Sequence, residues 1–451
     1  MNLVFGSCVM TRLTLLVVLV LGGRLMADER PNIVVLFADD AGYADFGFQP
    51  KARSDMKRLT PHIDSIARDG VRLSAAYMSG AVCSPSRAGL MTGRYQQRFG
   101  HDNNIPPGYM KSGLPLSETF GAKRLKKTGY ATGLVGKWHL GYPAAFHPNK
   151  RGFDWFYGCL QGSRSYFPYT NKPTANRVLQ ENGRPTPEKG YVTDRLGDAA
   201  CRFIAEHREE AFFLFVSFTA PHGPLQAKPE HLKMLAEIPA GRRRRYAGLV
   251  VSLDENVGKI LECLGANKLD HKTLVIFTND NGGQTKTGAN NQPLRGRKGQ
   301  LWEGGIRVPC AMRWPGRIRA GSVIGDPVSS LDFLPTFLAV AGARPKPEWK
   351  LDGTNLLPRL TGEVDALPER DLHWRGGGSK GPIALRHGPW KMVHNRNFMG
   401  GRPLLFRLDR DLSETENLAD DHPERLAEMV KRASAWEAQL VEPLWGKGSA
   451  R

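Results

Sequence analysis

Short apolar runs alternate with helix-like segments along the chain from Pro31 onward. Apolar residues are nearly continuous in the runs, which is typical of strands covered on both faces, and return every three or four positions in the intervening segments. This alternation predicts an α/β fold with a mainly parallel sheet sandwiched by helices. The predicted strands are residues 33–38, 131–135, 212–218 and 274–279.

Two helices have clear patterns. After the basic run 242–245 the apolar residues keep a helical spacing, so we expect these arginines to form the solvated start of an amphipathic helix. A second helix is predicted at 331–340, ended by Gly342 and Pro345.

The pattern changes from about Asp371, where short strand-like pieces begin. We predict a main α/β domain at residues 28–365 and a smaller C-terminal α+β subdomain at residues 366–451, formed by an antiparallel sheet and one covering helix. The pieces of this subdomain are predicted strands at 383–386, 390–394 and 404–409 and a helix at 423–440.

The N-terminal segment 1–27 has the layout of a secretory signal peptide, because Arg12 precedes a short apolar run that ends in small residues. No later stretch approaches the roughly 20 apolar residues that span a bilayer. We therefore expect an exported protein, periplasmic or extracellular, without a stable membrane anchor; an uncleaved N-terminal anchor is the alternative. The sequence has no N-x-S/T acceptor, which favours a bacterial source.

The chain is strongly basic. Its formal net charge is +19, and loss of residues 1–27, which contain Arg12 and Arg24 and no acid, leaves +17. Such a charge favours polyanionic partners. The sequence has no zinc-finger spacing or RNA-binding signature, so no nucleic acid is predicted as a partner.

Four cysteines outside the signal segment and the motif described below are widely spaced and form no CxxC pattern. They allow two disulfides in three pairings, or four free thiols, and both alternatives stay open. These residues are Cys159, Cys201, Cys263 and Cys310.

Oxygen-bearing side chains follow two of the predicted strands. Asp39 and Asp40 come after the first, and Asp280 and Asn281 come after the last. Ligands of open α/β sheets bind beyond the carboxyl ends of the strands, so these pairs can converge there. Adjacent carboxylates repel unless a cation lies between them, and oxygen ligands favour Ca²⁺ or Mg²⁺. Polar turns before glycine are the alternative interpretation.

The segment 83–93, CSPSRAGLMTG, resembles the sulfatase signature CxPSRxxxLTG, with Met91 at the leucine position. The resemblance implies that a formylglycine-generating enzyme oxidises the Cys83 thiol after translation to formylglycine (3-oxoalanine). The hydrated aldehyde then supplies the attacking hydroxyl. A CxPSR run alone arises by chance, so the rest of the site must be found elsewhere.

Three further segments match the same family in order. Residues 129–141, GYATGLVGKWHLG, match GYxTxxxGKWHLG, residues 294–309 match LRGxKGxxxEGGIRVP, and His222 lies in the stiff loop APHGP. The chain thus resembles type I, formylglycine-dependent, arylsulfatase-like sulfatases of the alkaline phosphatase superfamily over nearly all of its mature length. The resemblance implies that superfamily's α/β fold with a smaller C-terminal subdomain.

The resemblance also implies one bound cation, most often Ca²⁺, with Mg²⁺ as the alternative. Its ligands would be Asp39, Asp40, Asp280, Asn281 and the modified Cys83.

The remaining matched residues would carry the reaction. Arg87 would hold the formylglycine hydrate, and Lys137 and Lys298 would bind sulfate oxygens. His222 would protonate the leaving alcohol, assisted by Lys298, and His139 would remove the proton that lets sulfate depart.

The resemblance implies a sulfuric-ester hydrolase. We expect its substrate to be an O-sulfated carbohydrate, such as polysaccharide or glycosaminoglycan fragments, since the chain is strongly basic and carries a predicted export signal. Rival interpretations are a phosphate or phosphonate ester hydrolase of the same superfamily and a non-catalytic protein that binds sulfated glycans. The candidate sugar contacts are His101, Asp102, Asn103, Trp302, His373 and Arg375. Loop residues that simply face water are the alternative interpretation.

Overall fold

The structure, a computed structural model, describes residues 1–2, 30–396 and 401–449. The predicted signal peptide at 1–27 falls outside these residues except for its first two. Within the described ranges, each helix is too short or too polar to span a membrane.

Strands and helices alternate through most of the described chain. The strands are β1 (Asn32–Ala38), β2 (Val71–Leu73), β3 (Ala76–Tyr77), β4 (Ala131–Lys137), β5 (Trp155–Cys159), β6 (Gln180–Glu181), β7 (Arg184–Pro185), β8 (Phe212–Ser217), β9 (Thr273–Asn279), β10 (Cys310–Arg313), β11 (Ser322–Ile324), β12 (Val328–Ser329), β13 (Asp371–Arg375), β14 (Ile383–His387), β15 (Trp390–His394) and β16 (Leu404–Arg407). The α-helices are α1 (Pro61–Arg68), α2 (Cys83–Thr92), α3 (Gly121–Lys126), α4 (Val192–Glu206), α5 (Pro229–Met234), α6 (Arg242–Ala266), α7 (Glu303–Ile306), α8 (Phe333–Val340), α9 (Leu357–Leu360) and α10 (Pro423–Glu437). Short 3-10 helices lie at Gln96–Phe99, Ala144–Phe146, Pro148–Lys150, Ala175–Arg177, Asp270–Lys272, Thr285–Thr287, Ser330–Asp332 and Pro347–Trp349.

Ten strands form one central sheet in the order β11-β2-β10-β9-β1-β8-β4-β5-β6-β7. Its middle, β9 through β5, is parallel, which confirms the predicted fold class. Antiparallel pairs occur toward the two ends, where β10 lies beside β9 and β6 beside β5. The strands at the ends, such as β2 and β7, are too short for a hydrophobic pattern to predict them.

Strand β1 shows how the sheet is covered on both faces. Ile33, Val35 and Phe37 pack into one core with residues of α2, α3 and α8. The alternate residues Val34 and Leu36 pack into a second core with residues of α1, α4 and α6. Because successive side chains of a strand point to opposite faces, an unbroken apolar run is what a sheet between two helical layers requires.

Helix α6 confirms the predicted amphipathic helix, but its basic start is not wholly solvated. Arg243 forms ion pairs of 2.8 Å with both Asp45 and Asp55 and donates a hydrogen bond to the Gly288 carbonyl. The prediction was wrong for Arg243, because the fully buried Asp45 carboxylate requires a nearby cation.

The cysteines of the described chain are free thiols. Cys159 and Cys310 are buried, and Cys201 and Cys263 are partly buried. The free-thiol alternative is the one that the structure contains.

The C-terminal residues form the predicted second sheet. Strands β13 to β16 pair antiparallel in chain order, and α10 packs against β14 and β15. The last predicted strand is two residues shorter than expected, and α10 ends at Glu437, three residues before the predicted end. The boundary at 365/366 stays a prediction.

A buried ion cluster joins this sheet to the main domain. The Nζ of Lys391, on β15, lies 2.9 Å from Glu303 Oε1 and 2.8 Å from Glu414 Oε1, and all three side chains are fully buried. Burial raises the pKa of Glu414 to about 7. Burial also acts to raise the pKa of Glu303, but the charge of Lys391 outweighs it, and the pKa falls to about 2.

Replacing Lys391 by methionine should destabilise the protein by about 3–5 kcal/mol, because two buried carboxylates lose their shared cation. Urea unfolding at neutral pH measures the change. Lys259→Met is the matched control, since Lys259 forms a surface ion pair with Asp198, with side-chain exposures of 43% and 66%, and we expect a loss below about 1 kcal/mol. Equal losses in the two variants would contradict a structural role for the buried cluster.

Candidate active site

Polar residues lie at the carboxyl ends of four neighbouring strands of the parallel sheet. Strand β1 lies between β8 and β9, and β4 lies beside β8, so their carboxyl ends are adjacent. Asp39 and Asp40 follow β1, Asp280 follows β9, Lys137 ends β4, and the loop with His222 follows β8. Convergence of these segments follows from parallel pairing, as the sequence predicts.

Cys83 is the first residue of α2 and lies in the middle of this cluster. Its side chain is buried, with Sγ 3.1 Å from Lys298 Nζ and 3.6 Å from Asp39 Oδ1. Burial and the charge of Asp280 raise the pKa of the Cys83 thiol to about 12. An unmodified Cys83 is therefore a protonated thiol at neutral pH and a poor nucleophile.

Three cations pair with the buried carboxylates around Cys83. Lys137 Nζ lies 2.6 Å from Asp39 Oδ2, and Lys298 Nζ lies 2.8 Å from Asp40 Oδ2. Arg87 Nη2 lies 2.9 Å from Asp280 Oδ2.

These pairs oppose the effect of burial on the pKa values. Burial acts to raise the pKa of Asp280, but the charges of Arg87 and Lys137 outweigh it and lower the pKa. Burial acts to lower the pKa of Lys137, and the charge of Asp39 outweighs it and raises the pKa. The pKa of Lys298 is also raised, because the charge of an ionised Cys83 and that of Asp40 outweigh the effect of burial. Both lysines therefore stay cationic at neutral pH.

Two histidines complete the cluster. Burial and the charge of Lys137 hold the pKa of His139 well below its ordinary value, so its imidazole is neutral. His222 Nδ1 lies 2.7 Å from the Gly223 carbonyl oxygen, and its Nε2 lies 3.5 Å from Asp40 Oδ2. A carbonyl only accepts, so Nδ1 of His222 carries the hydrogen of this bond, and Nε2 is the ring nitrogen that faces Asp40.

The backbone at two of these residues is strained. Asp40 has φ of 64° and His139 has φ of 58°, in the left-handed region that non-glycine residues seldom adopt. Such strain persists where surrounding contacts hold a functional side chain in place. Gly162 lies against the imidazole of His139, because a Cβ on it would be 2.5 Å from Cε1.

The cluster fits a hard divalent cation. Ligand atoms of Asp39, Asp40, Cys83 and His222 all lie within 4.8 Å of one another. The side-chain oxygen of Asn281 is buried and has no hydrogen-bond partner among the described residues. Carboxylate and amide oxygens suit Ca²⁺ or Mg²⁺, and a cation would satisfy that oxygen.

A cavity of about 170 Å³, here called the site cavity, is lined by Cys83, His139, His222 and Lys298. The sequence reasoning missed the rest of its wall, which lies on loops without a recognisable motif. Asn104 is adjacent to the predicted loop 101–103, and no pattern distinguishes the others. These residues are Asn104, Ile105, Pro107, Tyr142, Gln161, Gly162, Ser163 and Arg177.

The six predicted sugar contacts lie elsewhere, and none lines the site cavity. Asp102 and Arg375 form a buried ion pair of 2.9 Å, and His373 stacks on Trp436 with 4.7 Å between ring centroids. The ion pair joins the loop 101–103 to β13, and the ring stack lies within the C-terminal subdomain, between β13 and α10.

The other three candidates are also occupied by protein contacts. His101 is buried against Trp445, and Asn103 donates hydrogen bonds to the carbonyls of Trp445 and Lys447. Trp302 packs against Phe406. Polar loop composition suggested sugar binding for residues 101–103, but His101 Nε2 lies 2.5 Å from Ser84 Oγ, and Asp102 and Asn103 contact C-terminal residues.

The chain is similar to known proteins over most of its length. A family model for sulfatases matches residues 31–343, and one for the C-terminal region of N-sulphoglucosamine sulphohydrolase matches residues 297–433. N-acetylgalactosamine-6-sulfatase of Mus musculus is 35% identical over 97% of this chain and 92% of its own length. Arylsulfatase H of Canis lupus familiaris is 33% identical over 90% of this chain and 91% of its own.

Solved structures share the fold. The crystal structure of Ps i-CgsB in complex with k-i-k-neocarrahexaose has a TM-score of 0.87 and 37% identity, and the match covers 93% of this chain and 95% of that chain. The phosphonate monoester hydrolase of Agrobacterium radiobacter has a TM-score of 0.65 and 22% identity over 91% of this chain and 96% of that one. At that identity the likeness shows the fold alone.

Ca²⁺ should bind the metal-free protein at one site, and Asp280→Asn should weaken that binding by about 10–100-fold. Calorimetric titration gives the affinity. In a thermal melt, Ca²⁺ at about 100 times its Kd should stabilise the wild type by roughly 2.7 kcal/mol. Asp45→Asn is the control, because Asp45 is also buried and paired with an arginine but contacts Arg243 and Tyr246, whereas Asp280 contacts Asp40 and Arg87 of the site. An Asp280→Asn protein with wild-type Ca²⁺ affinity would exclude this carboxylate as a ligand.

Proposed function

The chain belongs to the sulfatase family of sulfuric ester hydrolases, and from this premise we propose that it hydrolyses O-sulfate esters of carbohydrates. We further propose that Cys83 is converted to formylglycine and that Asp39, Asp40, Asp280 and Asn281 hold Ca²⁺ beside it. Hydrated formylglycine would supply the attacking hydroxyl, and Ca²⁺ held by these residues would supply positive charge that favours the ionised form of that hydroxyl.

The position of Cys83 carries this proposal. It begins α2 within the site cavity, in contact with Lys298 and Asp39, while its thiol stays protonated. A reactive cysteine nucleophile requires a lowered pKa, and the environment of Cys83 raises it instead. This setting supports a residue that is modified before it acts.

The burial of Cys83 also sets when it can be modified. Its side chain is 1% exposed, so a formylglycine-generating enzyme cannot reach the thiol in the folded protein. We therefore propose that modification precedes completion of folding. If the signal peptide directs export, a bacterial host modifies the chain before it folds in the periplasm or outside the cell.

The two lysines provide the charge that a sulfate ester requires. Lys137 and Lys298 remain protonated beside Asp39 and Asp40, so they can bind anionic sulfate oxygens in a largely buried site. Charge fixed in position before the reaction stabilises the transition state without reorganisation of solvent.

Each of the two histidines has one ring nitrogen free for a proton transfer, and the two transfers run in opposite directions. His139 is neutral, and its Nδ1 is buried without a hydrogen-bond partner among the described residues, so it can accept a proton as general base. His222 keeps Nδ1 engaged with the Gly223 carbonyl, so Nε2 is the atom that would protonate the leaving alcohol.

Relatives and charge support a sulfated glycan as substrate. Ps i-CgsB was crystallised with k-i-k-neocarrahexaose, and the mouse relative is an N-acetylgalactosamine-6-sulfatase. The net charge of +19 favours polyanions. The site cavity, about 170 Å³, is smaller than the roughly 300–1,000 Å³ of typical ligand sites, so we expect it to hold the sulfate and the ring that carries it.

Protein from a host with a formylglycine-generating enzyme should carry an aldehyde or its hydrate at position 83, detectable by mass spectrometry of the peptide that contains it. Cys83→Ala should lower hydrolysis of an aryl sulfate by at least about a thousandfold. Cys310→Ala is the matched control, because Cys310 is also a buried thiol whose pKa burial raises to about 12. Full activity from protein with only thiol at position 83 would refute formylglycine catalysis.

The same preparation distinguishes the phosphoryl alternative. Among an aryl sulfate, an aryl phosphate and an aryl phosphodiester, the aryl sulfate should have the highest kcat/KM. A clear preference for the phosphodiester would contradict the proposed substrate class.

Gly162→Ala should displace the imidazole of His139, because the new Cβ would lie 2.5 Å from Cε1 and 2.7 Å from Nδ1. We expect kcat for an aryl sulfate to fall by about 10–100-fold and the pH–rate profile to change, since small misplacements of a catalytic group are costly. Gly325→Ala is the control, because its nearest neighbour would be Ser74 Oγ at 4.0 Å. A wild-type kcat and pH profile in Gly162→Ala would show that this contact does not position His139.

A further inference from the structure

We propose that Arg177 forms a second anion-binding subsite in the site cavity, so that the preferred substrate carries another negative group close to the sulfate that is removed. This inference rests on the proposed function. The second group is a sulfate or a carboxylate, since a guanidinium binds the paired oxygens of either.

The loop that carries Arg177 is fixed to its surroundings. Arg177 ends the 3-10 helix Ala175–Arg177, between β5 and β6. Its carbonyl accepts a hydrogen bond from Arg164 Nη1 at 3.1 Å, and Arg164 Nη2 forms an ion pair of 2.7 Å with Glu188. These contacts give Arg177 a defined place in the cavity wall.

The charge of Arg177 is not neutralised by the protein. Among the described residues no carboxylate forms an ion pair with it, and no aspartate or glutamate lines the site cavity. With the amide of Gln161 oriented so that its oxygen faces Arg177, that oxygen accepts from Nε at 3.1 Å and from Nη2 at 3.2 Å. A neutral amide orients the guanidinium and leaves its charge and its Nη1 donors for another partner.

Arg177 lines the site cavity together with Tyr142 and Gln161. The cations that act most strongly on Cys83 are Lys137 and Lys298, and those that act most strongly on His139 are Lys137 and Arg87. Arg177 is not among them, and its charge opposes the rise that burial causes in the pKa of Tyr142.

These contacts indicate what the subsite binds. A partly buried arginine without a carboxylate is stabilised by an anion, because hydrogen bonds between a guanidinium and an anion are charge-assisted. The site cavity, of about 170 Å³, would hold one sugar ring. The second anionic group would then be attached to that ring or to the neighbouring sugar unit of the saccharide.

The test compares three saccharides with the mature enzyme: one with a single sulfate, one with two sulfates, and one with a sulfate and a carboxylate. The wild type should prefer at least one doubly anionic saccharide. In Arg177→Gln the ratio of kcat/KM, doubly anionic to monosulfated, should fall by about 10–100-fold, mainly through KM. The two doubly anionic arms distinguish sulfate from carboxylate as the second group.

A second variant keeps the arginine. Gln161→Glu would place a carboxylate against Arg177 and should abolish the preference while the guanidinium remains. Arg184→Gln is the control, because Arg184 is exposed on β7 and lies outside the site cavity, and it should retain the wild-type ratio.

The outcomes separate this inference from the proposed function. A wild type that hydrolyses sulfated saccharides without preference for a second anion overturns the role of Arg177 alone. An equal loss on all three saccharides in Arg177→Gln also overturns it, because the residue would then serve the reacting sulfate. A wild type that is inactive on every sulfate ester overturns both.

Discussion

The site depends on one electrostatic constraint, which is that carboxylates buried at the ends of β1 and β9 need positive charge close by. Asp39 and Asp280 are fully buried, and an isolated ionised carboxylate in such a place is very unfavourable. Lys137 and Arg87 pair with them, and each cation comes from a different segment of the chain. The array leaves an unsatisfied oxygen on Asn281, which suits a metal ion. The acids and bases of the site therefore fix one another's charge states.

A second buried cluster extends this constraint to the C-terminal subdomain. The segment 294–309 places Lys298 beside Cys83 and, five residues later, Glu303 beside Lys391. Gly282 and Gly304 allow this segment to approach the end of β9, because a Cβ on Gly282 would lie 1.9 Å from the Gly304 carbonyl oxygen. The second sheet therefore holds in place the segment that brings Lys298 to the site.

The chemistry and the choice of substrate are built from different parts of the fold. Most residues that would act on the ester bond follow strand ends or lie on α2, where the sheet holds them rigidly, and Lys298 lies on the turn before α7. The remaining wall of the site cavity comes from the loop before α3, with Asn104, and from loops between β4 and β6, with Gln161 and Arg177. Loops change more readily than a sheet edge, so substrate specificity can vary while the reacting array is kept. For this reason the sequence motifs identify the family but do not identify the sugar of the substrate.

The sequence by itself determined the parallel sheet and predicted the polar residues that meet at the carboxyl ends of its strands. Continuous apolar runs are compatible with a strand between two helical layers, and polar residues directly after such runs must meet at one edge. Only the tertiary structure decided the roles of residues whose partners are distant in the chain. Arg375 and Asp102 are 273 positions apart and form a buried pair, so a loop that looked suited to sugar is part of the interface between the sheets. Arg177 and Gln161 carry no local pattern, because their function depends on which other loops surround them.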